Sequence, residues 1–231
     1  MKKILVDSIS SEFFSLIESN PSEEKLHRYL VRYPALLPVW QPLDNVVYSK
    51  FPLGNEHVTD FAFVRDDTPG LRWEFIEIEK PQDPLFTKKG DPSSRLTHAL
   101  RQLHDWHVWF QENRAYVARN FPHGHRAIKT GLADPHLILV MGRRSPDWWD
   151  QREKLRRIGG GVVIRTFDGL EHNLHAPPFD ARQPLRLLGF SSTGHHKLLA
   201  SMKIEISYYV GEATDEPPDD LTTRSAPAVP L

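Results

Sequence analysis

From Leu71 to Glu79 the chain reads LRWEFIEIE, a run with the aromatic and β-branched content of a buried strand that nonetheless carries Glu74, Glu77 and Glu79. Lys80 and Pro81 follow directly. Side chains alternate along a strand, so Trp73, Phe75, Glu77 and Glu79 share one face, and Glu74, Ile76, Ile78 and Lys80 the other. The preceding run HVTDFAFV is joined to this strand by the turn-forming RDDTPG, and in a hairpin of suitable register Asp60 comes beside Glu77. Anions crowded in a buried place repel one another and lose hydration, a cost that falls only where positive charge sits among them. A hard divalent cation, Mg2+ or Mn2+, suits such oxygen ligands. The alternative is an edge strand whose glutamates face water or pair with surface Arg and Lys, and spacing alone does not decide between the two.

The pattern around this strand predicts a mixed α/β fold. In SNPSEEKLHRYLVRYPALLP, Asn20 reads as a helix N-cap with Pro21 at the first helical position and Glu23 three residues after the cap. Leu26, Tyr29, Leu30 and Tyr33 recur at helical spacing until Pro34 and Pro38. NVVYSKFPL, HVTDFAFV and LRWEFIEIE read as three strands, and Ser94 to about Arg119 as one long amphipathic helix. NFPHGHRAIKTGLADP then reads as a loop. HLILVMG reads as a strand parallel to its predecessor in the sheet, SPDWWDQREKLRRI as a helix and GVVIRTFD as a strand. The expected order is α-βββ-α-β-α-β, a mixed central sheet flanked by helices. KIEISYYV is a late strand or short helix, and residues 1–211 form one domain. Residues 212–231, acidic and Pro-rich, read as a disordered tail.

Composition excludes some classes of function. The absence of cysteine removes disulfide scaffolds and thiolate metal sites, and fits a reducing compartment. The apolar run after Met1-Lys2-Lys3 is only Ile4, Leu5 and Val6, short of a signal-peptide core, so the expected location is cytoplasmic with no membrane association. A net charge of -1 gives no global attraction for nucleic acid, so any such binding rests on local basic patches. The histidines of His123-x-His125, His172-x-x-His175 and His195-His196 lack the H-E-x-x-H arrangement of zinc hydrolases and read as loop or surface groups. Gly159-Gly160-Gly161 lacks a following Lys-Ser/Thr and reads as a turn, and no G-x-S-x-G elbow occurs.

Two further features bear on the carboxylates. HALRQLHDWHVWF sets His98, Gln102 and Trp106 in one stripe of the long helix. Glu23 or Glu24 of the first helix is in a position to face the sheet, although Glu23 also suits a capping role. The ordered set of Asp60 on one strand, Glu77-Ile78-Glu79-Lys80-Pro81 on the next and Gln102-x-x-x-Trp106 on the following helix resembles the PD-(D/E)XK nuclease signature. More closely, SEEKLHRYLVRYPALL, TDFAF, EFIEIEKP, ALRQLHDW and GVVIRTFDGL, over Pro21 to Leu170, resemble the nuclease domain of the Shedu family of prokaryotic antiviral proteins.

That resemblance implies a restriction-endonuclease-like core, metal-dependent cleavage of phage or plasmid DNA, and a role in defence. It makes Asp60 and Glu77 ligands of Mg2+ or Mn2+, with Glu23 or Glu24 closing the site, Gln102 orienting it and Trp106 packed beneath; Glu79, a carboxylate on the same strand face as Glu77, is expected to join them as a ligand. One position departs from the pattern: Glu79 stands where the lysine is usual, and Lys80 replaces that lysine only if a bulge or twist redirects it. Glu79 is then the candidate base or a second-metal ligand. Arg143, Arg144, Arg152, Lys154, Arg156 and Arg157 are candidate phosphate contacts, or a solvated helix face. Alternatives are a nuclease fold without turnover, serving as a nucleic-acid-binding or assembly module, and an interaction domain with an exposed acidic edge. Homo-oligomer formation stays open.

Overall fold

The computed structural model of the chain describes residues 2–68, 70–129, 134–177, 179–180, 182–190 and 196–202. KIEISYYV and the acidic tail lie outside the described residues. Helices α1 (Lys2–Glu18) and α2 (Glu23–Arg32) precede strands β1 (Val46–Leu53), β2 (His57–Asp67) and β3 (Gly70–Ile78). Helices α3 (Ser94–Glu112), α4 (Arg114–Asn120) and α5 (Gly124–Lys129) lead to β4 (His136–Val140). After α6 (Trp148–Ile158) come β5 (Val163–Arg165), α7 (His172–His175), β6 (Leu185–Phe190) and β7 (His196–Met202). Described helices do not include one long and apolar enough to cross a membrane.

The strands form one seven-stranded mixed sheet in the order β5-β4-β3-β2-β1-β6-β7. β1, β2 and β3 are antiparallel neighbours, whereas β4 lies parallel to β3 and β5 parallel to β4. On the other side β6 lies parallel to β1, and β7 antiparallel to β6. Alternation along the central strands splits the core in two. Phe61, Phe63, Ile76 and Ile78 pack with α1 and α2, while Ala62, Trp73 and Phe75 pack with α3 around Leu103, Trp106 and Phe110. The sheet is thus covered on both faces, as its apolar strands require.

Several local expectations need correction. Asn20 is left-handed at φ 52 and the cap is Ser22, whose Oγ accepts from the Lys25 amide at 3.3 Å. Pro21 therefore precedes the helix. The long helix breaks at Asn113, whose amide and side-chain Nδ2 both donate to the Trp109 carbonyl, at 2.9 Å each. Helical periodicity survives the break because α4 resumes one residue later. Part of NFPHGHRAIKTGLADP is the short helix α5, and RDDTPG is mostly strand, since β2 runs to Asp67 and β3 starts at Gly70. α1, α7, β6 and β7 extend the α-βββ-α-β-α-β order at its two ends.

Candidate functional site

The β2–β3 register pairs Phe61 with Ile76, and its continuation sets Asp60 across from Glu77. On the other side, pairs Ser49–Phe61 and Phe51–Thr59 bracket Lys50 across from Asp60. Three neighbouring strands therefore bring a lysine and two carboxylates into one row. Asp60 Oδ2 accepts from the Ile78 amide at 2.8 Å, and Oδ1 is ion-paired with Lys50 Nζ. From above, Gln102 of α3 donates through Nε2 to Glu77 Oε1 at 2.6 Å, while Trp106, one turn along, is buried at 1% exposure. His98, the third member of that stripe, is exposed.

The electrostatics of the row follow from its burial. Burial, then the neighbouring Asp60 charge, push the Glu77 carboxyl up to about 9, against the opposing pull of the Gln102 hydrogen bond and of Lys50. Glu79, buried at 7% exposure, is pushed up to about 7 by burial, then by Glu23 and Asp83, with Arg95 opposing. Glu23 lies exposed in the first turn of α2 and is the helix glutamate whose field Glu79 feels. Glu24 instead lies 3.8 Å from Arg28 with its side chain 78% exposed. Lys80 follows the end of β3, where its carbonyl accepts from the Asp83 and Gly142 amides at 3.2 Å each; its ammonium makes no ion pair among the described residues. Glu74, on the opposite face, is 2% exposed between Arg65 at 3.5 Å and His136 at 3.3 Å. The glutamates of one strand thus have separate duties: Glu74 is held in a buried ionic cluster, and Glu77 and Glu79 crowd toward Asp60.

Sequence reasoning missed Lys50 and His27. His27 Nε2 lies 3.1 Å from Ser49 Oγ and 3.4 Å from the Asp60 carbonyl, and its ring stacks on Phe61 with centroids 4.7 Å apart. Burial, then the Lys50 charge, hold its pKa below the ordinary imidazole value. The available signals were the spacing of His27 one turn after Glu23 and a lone lysine inside the apolar run VVYSKFPL. Lys50 is also left-handed, at φ 50 within a strand, a conformation that costs a residue other than glycine about 1 to 3 kcal/mol.

The donor set fits a hard divalent cation in kind, since Asp60, Glu77, Glu79 and Glu23 offer carboxylate oxygens and carry more negative charge than Lys50 and Arg95 offset. As the side chains stand, no group of three or more His, Asp or Glu among the described residues forms a ready ligand set. Lys50 engages Asp60 and Gln102 engages Glu77. The candidate phosphate contacts have their partners away from the row. Arg143 pairs with Asp168 at 2.9 Å, Arg156 and Arg157 with Glu153 at 3.3 and 3.4 Å, and Arg152 lies 5.8 Å from the Trp149 ring centre. Of the histidine motifs, His175 bonds Glu171 at 2.7 Å and His123 lies 4.0 Å from Asp44, partners outside the row, and His195 lies outside the described residues.

By fold and site this is a mixed α/β protein whose central antiparallel strands present a lysine–carboxylate row under a helix-borne glutamine. The family model described as Shedu protein SduA, C-terminal, matches residues 20–170, and the chain belongs to the Shedu family. α1, β6 and β7 fall outside the matched residues. No curated protein matches the chain.

Proposed function

We propose that the protein is a metal-dependent DNA endonuclease with a restriction-endonuclease-like, PD-(D/E)XK core, and that it acts in antiphage defence, the role its family membership suggests. The observation that carries this reading is the Asp60–Glu77 row on adjacent strands with Gln102 bonded to Glu77. In this reading Asp60, Glu77 and Glu79, with Glu23 at the edge, hold Mg2+ or Mn2+. Bound there, such a cation withdraws charge from a phosphodiester and acidifies a water. The Ile78 amide anchors the Asp60 carboxylate and Gln102 anchors Glu77, which keeps the two side by side, while cation binding has still to draw the full ligand set together. Glu79, whose pKa burial and Glu23 push up to about 7 when no cation is bound, is the alternative acceptor of the attacking water's proton where it does not itself ligate the cation.

A second reading, a fold without turnover that binds nucleic acid or assembles, is favoured by Glu79 itself, which stands where the lysine is usual. Incubation with supercoiled, linear and single-stranded DNA, with Mg2+ or Mn2+ and with EDTA as control, separates the two. Cleavage that needs the cation and disappears in Asp60→Asn supports the nuclease. No cleavage of any DNA form with either cation removes it and leaves the module.

A further inference from the structure

Among the described residues Lys50 is the cation ion-paired with Asp60, and it comes from β1 rather than from the glutamate strand. Burial shows how. Val46 and Tyr48 belong to the α3 side of the core and Val47 to the other, yet Phe51 and Leu53 are again on the α3 side. An unbroken alternation would have put both of them opposite. The phase changes at Lys50, the left-handed residue of β1. A glycine meets such a backbone without strain, whereas here a lysine accepts it and turns its ammonium onto Asp60. The side chain is 56% exposed, so Lys50 stands at the solvent side of the row. Its field reaches both Glu77 and His27. Lys80, which follows Glu79 in the sequence, lies beyond the end of β3 and makes no ion pair among the described residues.

We propose that Lys50 is the lysine of this site: delivered from β1, its ammonium holds Asp60 and is the group that receives a DNA phosphate beside Asp60 and Glu77. The proposal rests on the nuclease reading for its substrate class, and on the strand row for its geometry. A lysine carried on the neighbouring strand supplies the positive charge that Glu79 cannot. Asp60 Oδ1, which pairs with Lys50, is also an oxygen that would hold a divalent cation, so Lys50 would be left to phosphate where the cation is bound. No bond is made or broken by Lys50; its contribution is charge and position.

The test compares wild type with Lys50→Met, Lys50→Gln, Lys50→Arg and Lys80→Met, each first shown to be folded by its melting curve. Met keeps the stem length and the backbone strain and removes only the charge; Gln serves if Met does not fold. Cleavage of supercoiled plasmid with Mn2+ is measured beside binding of a fluorescein-labelled duplex with Ca2+, across a salt series. Loss of Lys50 charge is expected to lower cleavage by about a hundredfold. It is also expected to weaken duplex binding about tenfold and to reduce the slope of log affinity against log salt by about one. Arg at this position should recover most of the binding, and Lys80→Met should lose less than Lys50→Met on each measure. A merely structural Lys50 would leave the salt slope unchanged. Lys50→Met with wild-type affinity and salt slope overturns the proposal, as does Lys80→Met falling as far as Lys50→Met. If wild type cleaves no DNA, the nuclease reading fails by itself, and the binding arm still decides whether Lys50 meets phosphate.

Discussion

Glu77 places a carboxyl where burial and Asp60 both oppose its charge, and Gln102 holds it there with a 2.6 Å hydrogen bond. Its folded pKa of about 9 lies above the unfolded value near 4.5, so this group favours the folded state fully below pH about 4.5. That contribution is lost as pH rises toward about 9. In EDTA, Glu77→Gln should therefore gain stability over wild type as pH climbs from 5 to 8, by on the order of 1 to 3 kcal/mol. Urea melts at several pH values check this, and parallel wild-type and variant curves would contradict it. Glu79 offers a second test, because Glu23 and Asp83 follow burial in holding its pKa near 7. Glu23→Gln should lower the Glu79 midpoint, read from carboxyl-carbon NMR in EDTA, since a negative neighbour is gone. An unmoved midpoint would mean that Glu23 does not face Glu79.

Helix α3 joins site and core. Ser93 caps it by accepting from the Leu96 amide at 3.1 Å, Trp106 anchors it in the aromatic side of the core, and Gln102 lies one turn before that anchor. Trp106→Ala should cost about 3 to 5 kcal/mol of stability, whereas Gln102→Ala should cost little stability and most of the activity. Similar small effects of both would misplace the stripe; urea melts and plasmid nicking measure the two. Both residues were legible in the sequence because they sit on a long periodic helix with a strong apolar face. Asp60 and Glu77 were legible because a short hairpin fixes register locally. Lys50 was not, since its role depends on a left-handed residue that shifts the phase of VVYSKFPL, and no residue type announces that shift. β6 was not legible either: Val46–Ser49 pair in parallel with Arg186–Gly189, far along the chain, and such pairing leaves no local pattern.

At the level of the whole molecule, the hairpin sits at the centre of a sheet covered on both faces, so the strain and charge of the row act against the stability of the entire fold. A cation that binds the folded site and not the unfolded chain should raise the melting temperature by mass action. At a hundred times its dissociation constant the gain is about 2.7 kcal/mol, or roughly 5 to 10 °C for a chain of this size. Protons compete for the same oxygens. With Glu77 titrating near 9 and Glu79 near 7, binding must displace protons over the neutral range. The Mn2+-induced rise, measured at one fixed concentration in melting curves, should therefore be larger at pH 8 than at pH 6. It should shrink in Asp60→Asn, which weakens the ligand set directly. In Lys50→Met it should grow at equal Mn2+, because the ammonium that competes for Asp60 is gone. An equal rise at both pH values, undiminished in Asp60→Asn, would place the Mn2+ elsewhere on the protein and detach the carboxylate row from metal chemistry.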